Sequence, residues 1–305
     1  MAEYRQFLRL LDGIDEALDR NDASRLRWHP SARFSENCVE MPIGDGAWGT
    51  ITGIGPTMLS LADPETGQAA RFGVLDESGD HALYVARIAV SDDAIREFEL
   101  LVARPHDCGV PFLSTDLQPR PEFSAPLSSA ARVGRARMLT LANGYFDTLE
   151  RNDGTIHTVF APDCQRRENG VQTTSNVRPD IAPIARLGCE EQFRLGYYRF
   201  DNWIRARRYP LVDEQQGVVL AGGFIDHDGR LKDYQLTNGE RRAGFFLRPH
   251  SFAFLEAFRI QDDRIAAVEA VFHFVPYRTR SPWAADEPRP FTPAPPRDDP
   301  LVLPA

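Results

Sequence analysis

Phe7–Asp22 reads FLRLLDGIDEALDRND, and Met138–Asp153 reads MLTLANGYFDTLERND. At a constant offset of 131, seven of the sixteen pairs are identical, including the closing Arg-Asn-Asp. Tyr4, Leu8, Leu11, Ile14 and Leu18 recur at three- and four-residue spacing, the apolar stripe of an amphipathic helix. The stretch therefore predicts one helix that occurs twice, each copy ending at the Arg-Asn-Asp.

Three further blocks extend the match in the same order. Trp28–Val39 (WHPSARFSENCV) overlies Phe160–Val171 (FAPDCQRRENGV) at an offset of 132. Gly73–Gly79 overlies Gly223–Gly229 at 150, and Val90–Glu99 (VSDDAIREFE) overlies Ile260–Glu269 (IQDDRIAAVE) at 170. The last two read as strands flanking Gly/Asp turns, the signal of hairpins. The offset grows by 170 − 131 = 39 residues, so the second copy is the longer. The extra residues fall around Asn176–Arg208 and Arg230–Pro249. The expected organisation is a first domain over 1–115, a Pro/Ser-rich linker over 116–130, a second domain over 131–280 and a Pro-rich tail over 281–305. A helix followed by antiparallel strands, with no strand–helix alternation, predicts an α+β class.

Composition excludes some functions. With 44 acidic and 35 basic side chains, the 305-residue chain has a formal charge of −9, a poor match to nucleic acid or an anionic membrane surface. No stretch approaches the ~20 apolar residues of a membrane span, and the N-terminus has no apolar signal core. Cys38, Cys108, Cys164 and Cys189 are far apart and form no C-x-x-C, so free buried thiols and a cytoplasmic location are expected. Neither a dinucleotide fingerprint nor a Walker loop or nucleophile elbow is present, and no two histidines stand at H-x-x-x-H spacing. No metal or cofactor is expected. Asp226-His227-Asp228-Gly229 reads as a turn rather than a metal loop, because its aligned partner is Asp76-Glu77-Ser78-Gly79.

The leading helix, the "RENGV"-type strand and the closing "FRIQDDRI" hairpin resemble the nuclear transport factor 2-like (SnoaL-like) superfamily, over both copies. That resemblance implies two tandem cones, each a strongly curved antiparallel sheet wrapped on helices around a pocket. The superfamily holds cofactor-free isomerases, dehydratases, hydrolases and cyclases as well as binding modules, so fold alone does not select a function. Ile43–Gly53 (IGDGAWGTITG) is similar to bacterial proteins acting on lignin-derived aromatics, including diarylpropane lyases that release formaldehyde.

The candidate residues follow from what is peculiar to one copy. Three glycines around Asp45 and Trp48 allow close approach of a ligand, and an aromatic wall beside a carboxylate raises its pKa towards the range useful for acid–base work. Asp45 is the expected acid/base. Tyr84, His29 and Arg87 are candidates to stabilise charge on oxygen, with Tyr84 and Arg87 on opposite faces of one strand. Trp48 and Phe34 would stack on an aromatic ring, with Asn37 beside them, although the shared Glu36-Asn37 and Glu168-Asn169 pairs also suit a turn. Glu99 and Glu269, shared as well, suit salt bridges. In the second copy the insertion carrying Tyr197 and Arg205 is either a lid over a ligand or an interface patch. The expected activity is a cofactor-independent lyase acting on a hydroxylated aromatic small molecule. The alternatives are an isomerase, dehydratase or cyclase for polyketide- or steroid-like substrates, and a non-catalytic binding module. A homo-oligomer is compatible with either.

Overall fold

The computed structural model describes residues 2–105 and 117–284. Cys108, the start of the expected linker and most of the expected tail lie outside the described residues.

Helix α1 (Ala2–Asp19) buries Tyr4, Leu11, Ile14, Ala17 and Leu18, the stripe read from the sequence. Its chain leaves through Asn21 at φ 50°, and the equivalent helix (Arg135–Arg151) leaves through Asn152 at φ 43°. The shared Asn is thus a left-handed cap, a conformation Asn tolerates better than most side chains. After α1 come β1 (Trp28–Glu36), β2 (Val39–Met41), β3 (Ile51–Asp63), β4 (Gln68–Glu77), β5 (Asp80–Ser91) and β6 (Ala94–Ala103), in the sheet order β2-β1-β6-β5-β4-β3.

A short helix, α2 (Pro121–Ser124), precedes the second helix, α3 (Arg135–Arg151). The second sheet contains β7 (Phe160–Glu168), β8 (Val171–Gln172), β9 (Trp203–Asp213), β10 (Val218–His227), β13 (His250–Gln261) and β14 (Arg264–Val275). Its order, β8-β7-β14-β13-β10-β9, repeats the first sheet strand for strand. Helix α4 (Cys189–Arg194) and a small hairpin, β11 (Asp233–Gln235) with β12 (Arg241–Ala243), are additions of the second domain.

The α+β class with two tandem cone-shaped domains is therefore present, with one correction. Each sheet is mixed: β1 runs parallel to β6, and β7 to β14. A strand joined to its neighbour by a hairpin must reverse, but β1 is separated from β6 by four strands and is free of that constraint.

Along β4 and β5 alternate side chains serve two cores. Ala69, Leu75, Ala82, Tyr84, Ala86 and Ile88 pack towards α1, whereas Ala70, Phe72, Val74, Leu83 and Val85 face the second sheet. The latter meet Leu211, Val218, Leu220, Phe224, Leu255 and Val271 in a shared inter-domain core. Contacts across it are reciprocal. Asp63 accepts from the Val212 N–H (3.0 Å) and Asp213 from the Ala62 N–H (3.1 Å), each pair the other's equivalent at offset 150. The expected linker departs from its reading, because Leu117, Phe123 and Leu127 are buried and α2 closes one edge of the shared core. A segment rich in Pro still packs when its few apolar residues find a surface to cover.

Candidate functional site

Among the described residues the interior of the first domain is packed with aromatic rings. Trp48 is 1% exposed and packs among Trp28, Phe34 and Phe98 at centroid distances of 6.4 Å to Trp28 and 5.8 Å to Phe98. Phe34 and Phe98 lie 5.5 Å apart. Trp48 and Phe34 are thus core residues rather than a stacking platform. Asp45, beside them in sequence, is exposed at the start of a short 3-10 turn with no side-chain cap bond. The glycines that suggested ligand approach serve the turn instead: Gly44 and Gly46 adopt φ 103° and 65°.

The other first-domain candidates do not converge on Asp45. The Tyr84 hydroxyl donates to Asp15 of α1 (2.6 Å), and burial first, then the Asp15 charge, raises its pKa well above the ordinary phenol value. Arg87, on the opposite face as its spacing required, is held by Glu99 (2.9 Å), Glu97 (2.7 Å) and Gln68 (3.0 Å) beneath the indole of Trp283. Glu99 also binds Arg208 of the second domain, so the salt-bridge reading of Glu99 fits its surroundings. His29 sits at the surface against Ser31 (2.8 Å). Asn37, at φ 48°, brackets Val102 through both main-chain groups, as Asn169 (φ 46°) brackets Phe272. These Asn residues lock strand ends.

The second domain opens where the first is plugged. At equivalent positions Phe34, Ala86 and Phe98 are replaced by Arg166, Glu256 and Val268. The second domain holds a cavity of about 180 Å³, against the ~10–15 Å³ that one water needs on the same scale. The sheet supplies Ile225, His227, Phe252 and Phe272; the first insertion supplies Ile181, Ile184, Tyr197, Tyr198, Phe200 and Asp201; the second supplies Phe245 and Phe246. The wall is overwhelmingly apolar and aromatic, with a few polar groups set into it, the pattern of a small-molecule site.

Two polar groups stand out. His227 ends β10, and its Nε2 lies 2.8 Å from Asp201 Oδ1, both side chains nearly fully buried. A carboxylate accepts, so Nε2 is the donor to Asp201 in this pair. Nδ1 is buried and has no partner among the described residues. The ring is fixed on both sides, stacked on His250 (4.4 Å) and edge-on to Phe246 (4.4 Å). His250 donates from Nδ1 to the Arg248 carbonyl (2.7 Å), and burial pushes its pKa down to about 4, so it stacks as a neutral ring.

The second group is Arg166, 1% exposed under the cavity floor. It contacts Thr173 (3.2 Å), Glu168 (3.2 Å) and Tyr145 (3.4 Å), and donates to the Tyr198 hydroxyl and the Gln192 amide oxygen. Tyr198 in turn donates to Gln192. Burial raises the Tyr198 pKa, so the phenol stays protonated. Gln192 ties the arrangement to the backbone by donating to the carbonyls of Thr173 (2.7 Å) and Ile184 (3.1 Å). Behind it lies Glu256, fully buried, with Oε1 unpartnered among the described residues and a pKa raised to about 8 by burial and the nearby Glu168. Arg166 opposes that rise without cancelling it.

Of the sequence candidates, Tyr197 lines the cavity. Arg205, in the same insertion, bonds Asp226 (2.7 Å) and the Thr279 carbonyl (2.6 Å) and lies over the Phe224 ring. It braces the strand. Cys164 and Cys189 form a disulfide from β7 to α4, correcting the expectation of free thiols for both. Sequence distance had hidden a pair that the inserted helix brings together, and the cysteines no longer argue for a reducing compartment. Cys38 remains free.

Sequence reasoning missed His227, Asp201, Tyr198 and Arg166. A signal was present: His227 and Arg166 are specific to the second copy, replacing Glu77 and Phe34. No group of three or more metal-ligating side chains occurs among the described residues, and none of their helices is long and apolar enough to cross a membrane.

Residues 131–272, the second domain, match the model of a family described as a domain of unknown function, DUF8021. No curated protein matches the chain. Among solved structures, AclR from Streptomyces galilaeus, to which a hydroxylase activity is ascribed, is similar at 13% identity. The match covers 33% of this chain and 81% of AclR with a TM-score of 0.28. A steroid delta-isomerase from Pseudomonas aeruginosa is similar at 22% identity, covering 35% of this chain and 82% of its own, with a TM-score of 0.27.

Proposed function

We propose that the second domain is the site of a cofactor-independent acid–base enzyme acting on an apolar, hydroxylated aromatic molecule, and that the first domain is its structural partner. The observation that carries this reading is the His227–Asp201 pair in the wall of an aromatic cavity, with His227 Nδ1 unpartnered among the described residues. A carboxylate-oriented imidazole with a free lone pair is a general base. Tyr198 lines the same cavity, and its hydroxyl, once turned from Gln192 towards a ligand, is the donor to oxygen as it gains charge.

Within that class we assign a lyase reaction on a para-hydroxyphenyl 1,3-diol. Removal of the phenol proton and loss of the benzylic hydroxyl as water give a quinone methide. Deprotonation of the hydroxymethyl group then breaks its C–C bond, formaldehyde departs, and the electron pair returns the ring to a phenolate. Each proton transfer is within the reach of a histidine base, and each charged oxygen within that of a tyrosine donor.

The test is turnover of a guaiacyl diarylpropane 1,3-diol, followed by formaldehyde release and stilbene absorbance. His227→Gln and Asp201→Asn are expected to lose roughly 10²–10⁴-fold in kcat with unchanged thermal melting. Folded variants that retain turnover would remove His227 from the mechanism. A wild-type protein that binds the diol but releases no formaldehyde would leave the base and overturn the lyase assignment.

A further inference from the structure

The second insertion, Arg230–Pro249, differs in charge from the rest of the molecule. It carries Arg230, Lys232, Arg241, Arg242 and Arg248 against Asp233 and Glu240, hence 5 − 2 = +3 on a chain of −9. Arg242 pairs with Glu240 (3.0 Å). Arg241 and Arg248 are exposed and have no ion pair among the described residues.

Arg242 is on the cavity side of its hairpin: it pairs with Tyr234, whose hydroxyl donates to the carbonyl of the lining residue Tyr197 (2.7 Å), whereas Arg241 alternates to the other face. Phe245 lines the cavity and is still 63% exposed, so it stands at the rim, three residues from Arg242 and Arg248 alike. Arg242 is within electrostatic reach of Tyr197, a lining residue, and Arg248 of His250 beneath it. The buried guanidinium of Arg166 is already engaged by Glu168, Tyr198 and Gln192, so it is not free to pair with a carboxylate. An apolar pocket with a cationic lip fits a ligand whose ring is buried and whose charged end stays at the mouth.

We infer that the ligand of this site is an aromatic molecule bearing an anionic arm, a carboxylate, which Arg242 and Arg248 of the second insertion hold at the cavity mouth. This rests on the reading that the cavity takes an aromatic ring. A membrane surface would use the same cations together with exposed Leu247. The Phe245 ring, however, packs on Phe200 and Phe246 (centroids 6.2 and 4.8 Å), so part of it is committed to the cavity rim.

The test is calorimetric titration of the full chain with ferulate and with methyl ferulate, which share a ring and differ in charge. Ferulate is expected to bind more tightly and to weaken at high salt. The double variant Arg242→Gln/Arg248→Gln, changed outside the cavity lining, should lose roughly tenfold in ferulate affinity, about threefold for each arginine, and keep its affinity for the ester. Equal affinities for both probes, unmoved by the substitutions, would overturn the anionic arm and leave the aromatic cavity standing. Binding of neither probe would overturn both. Arginine-dependent binding to phosphatidylserine vesicles with ferulate affinity unchanged would assign the lip to a membrane instead.

Discussion

Replacing Glu256 by Gln should stabilise the protein in alkaline solution and do little in acid. In the folded chain burial lifts this carboxyl from 4.5 to about 8. Below pH 4.5 it is protonated in both states and contributes no pH dependence. Between about 4.5 and 8 the native state holds a proton that the unfolded state has lost, so stability falls as pH rises. At about 1.4 kcal/mol per pH unit, the loss reaches roughly 4 kcal/mol by pH 8, on the order of a third of a typical domain's stability or more. Gln keeps the shape and cannot ionise. Urea unfolding of both proteins at pH 5 and pH 8 measures the difference. The variant should differ by under about 1 kcal/mol at the lower pH and exceed the wild type by several at the higher. Glu269, raised to about 7 by burial despite Arg120, adds its own slope to both proteins and cancels in the comparison. An offset that is the same at both pH values would refute the reasoning, for it would mean that Glu256 is ionised in the fold.

Cys189→Ser opens a loop of 25 residues and should cost roughly 3 kcal/mol, read as a lower urea midpoint. A dithiol reductant should bring the wild type down to the same midpoint, and a wild type indifferent to reductant would show the bond to be absent. Asp45→Asn should leave turnover and stability near wild type, since the carboxylate is exposed and caps nothing; a large fall in kcat would return the site to the first domain.

The repeated helix and hairpins were legible because they rest on periodicity and turn chemistry, which are local. The helix exits at Arg-Asn-Asp and the turn role of the shared Glu-Asn pairs were legible for the same reason: a shared residue does a shared job. The cavity was not, because its parts come from separate stretches. Asp201 and His227 are 26 residues apart and Arg166 and Tyr198 are 32 apart, and only the inserted segments bring them together. Trp48 misled for a complementary reason. A glycine-flanked Trp beside an Asp looks the same in sequence whether the ring lines a pocket or fills it, and here it fills it. Asp45 and His227 are both peculiar to one copy, but the Gly/Asp turn shared around His227 makes it read as a turn residue.

The crossed pairing of Asp63 and Asp213 with each other's neighbouring strand is what a two-fold dimer would display, yet here both halves belong to one chain. In a true homodimer every substitution is made twice, and a change that plugs one cavity plugs its mate. Joined in one polypeptide, the halves escape that coupling: one can fill its interior with Trp48 and Phe34 and act as a rigid backing, while the other opens. Nor can dilution separate them, since the covalent link fixes each at a high local concentration about the other. The asymmetry of this molecule, a solid half and a hollow one, is a freedom that the join makes available.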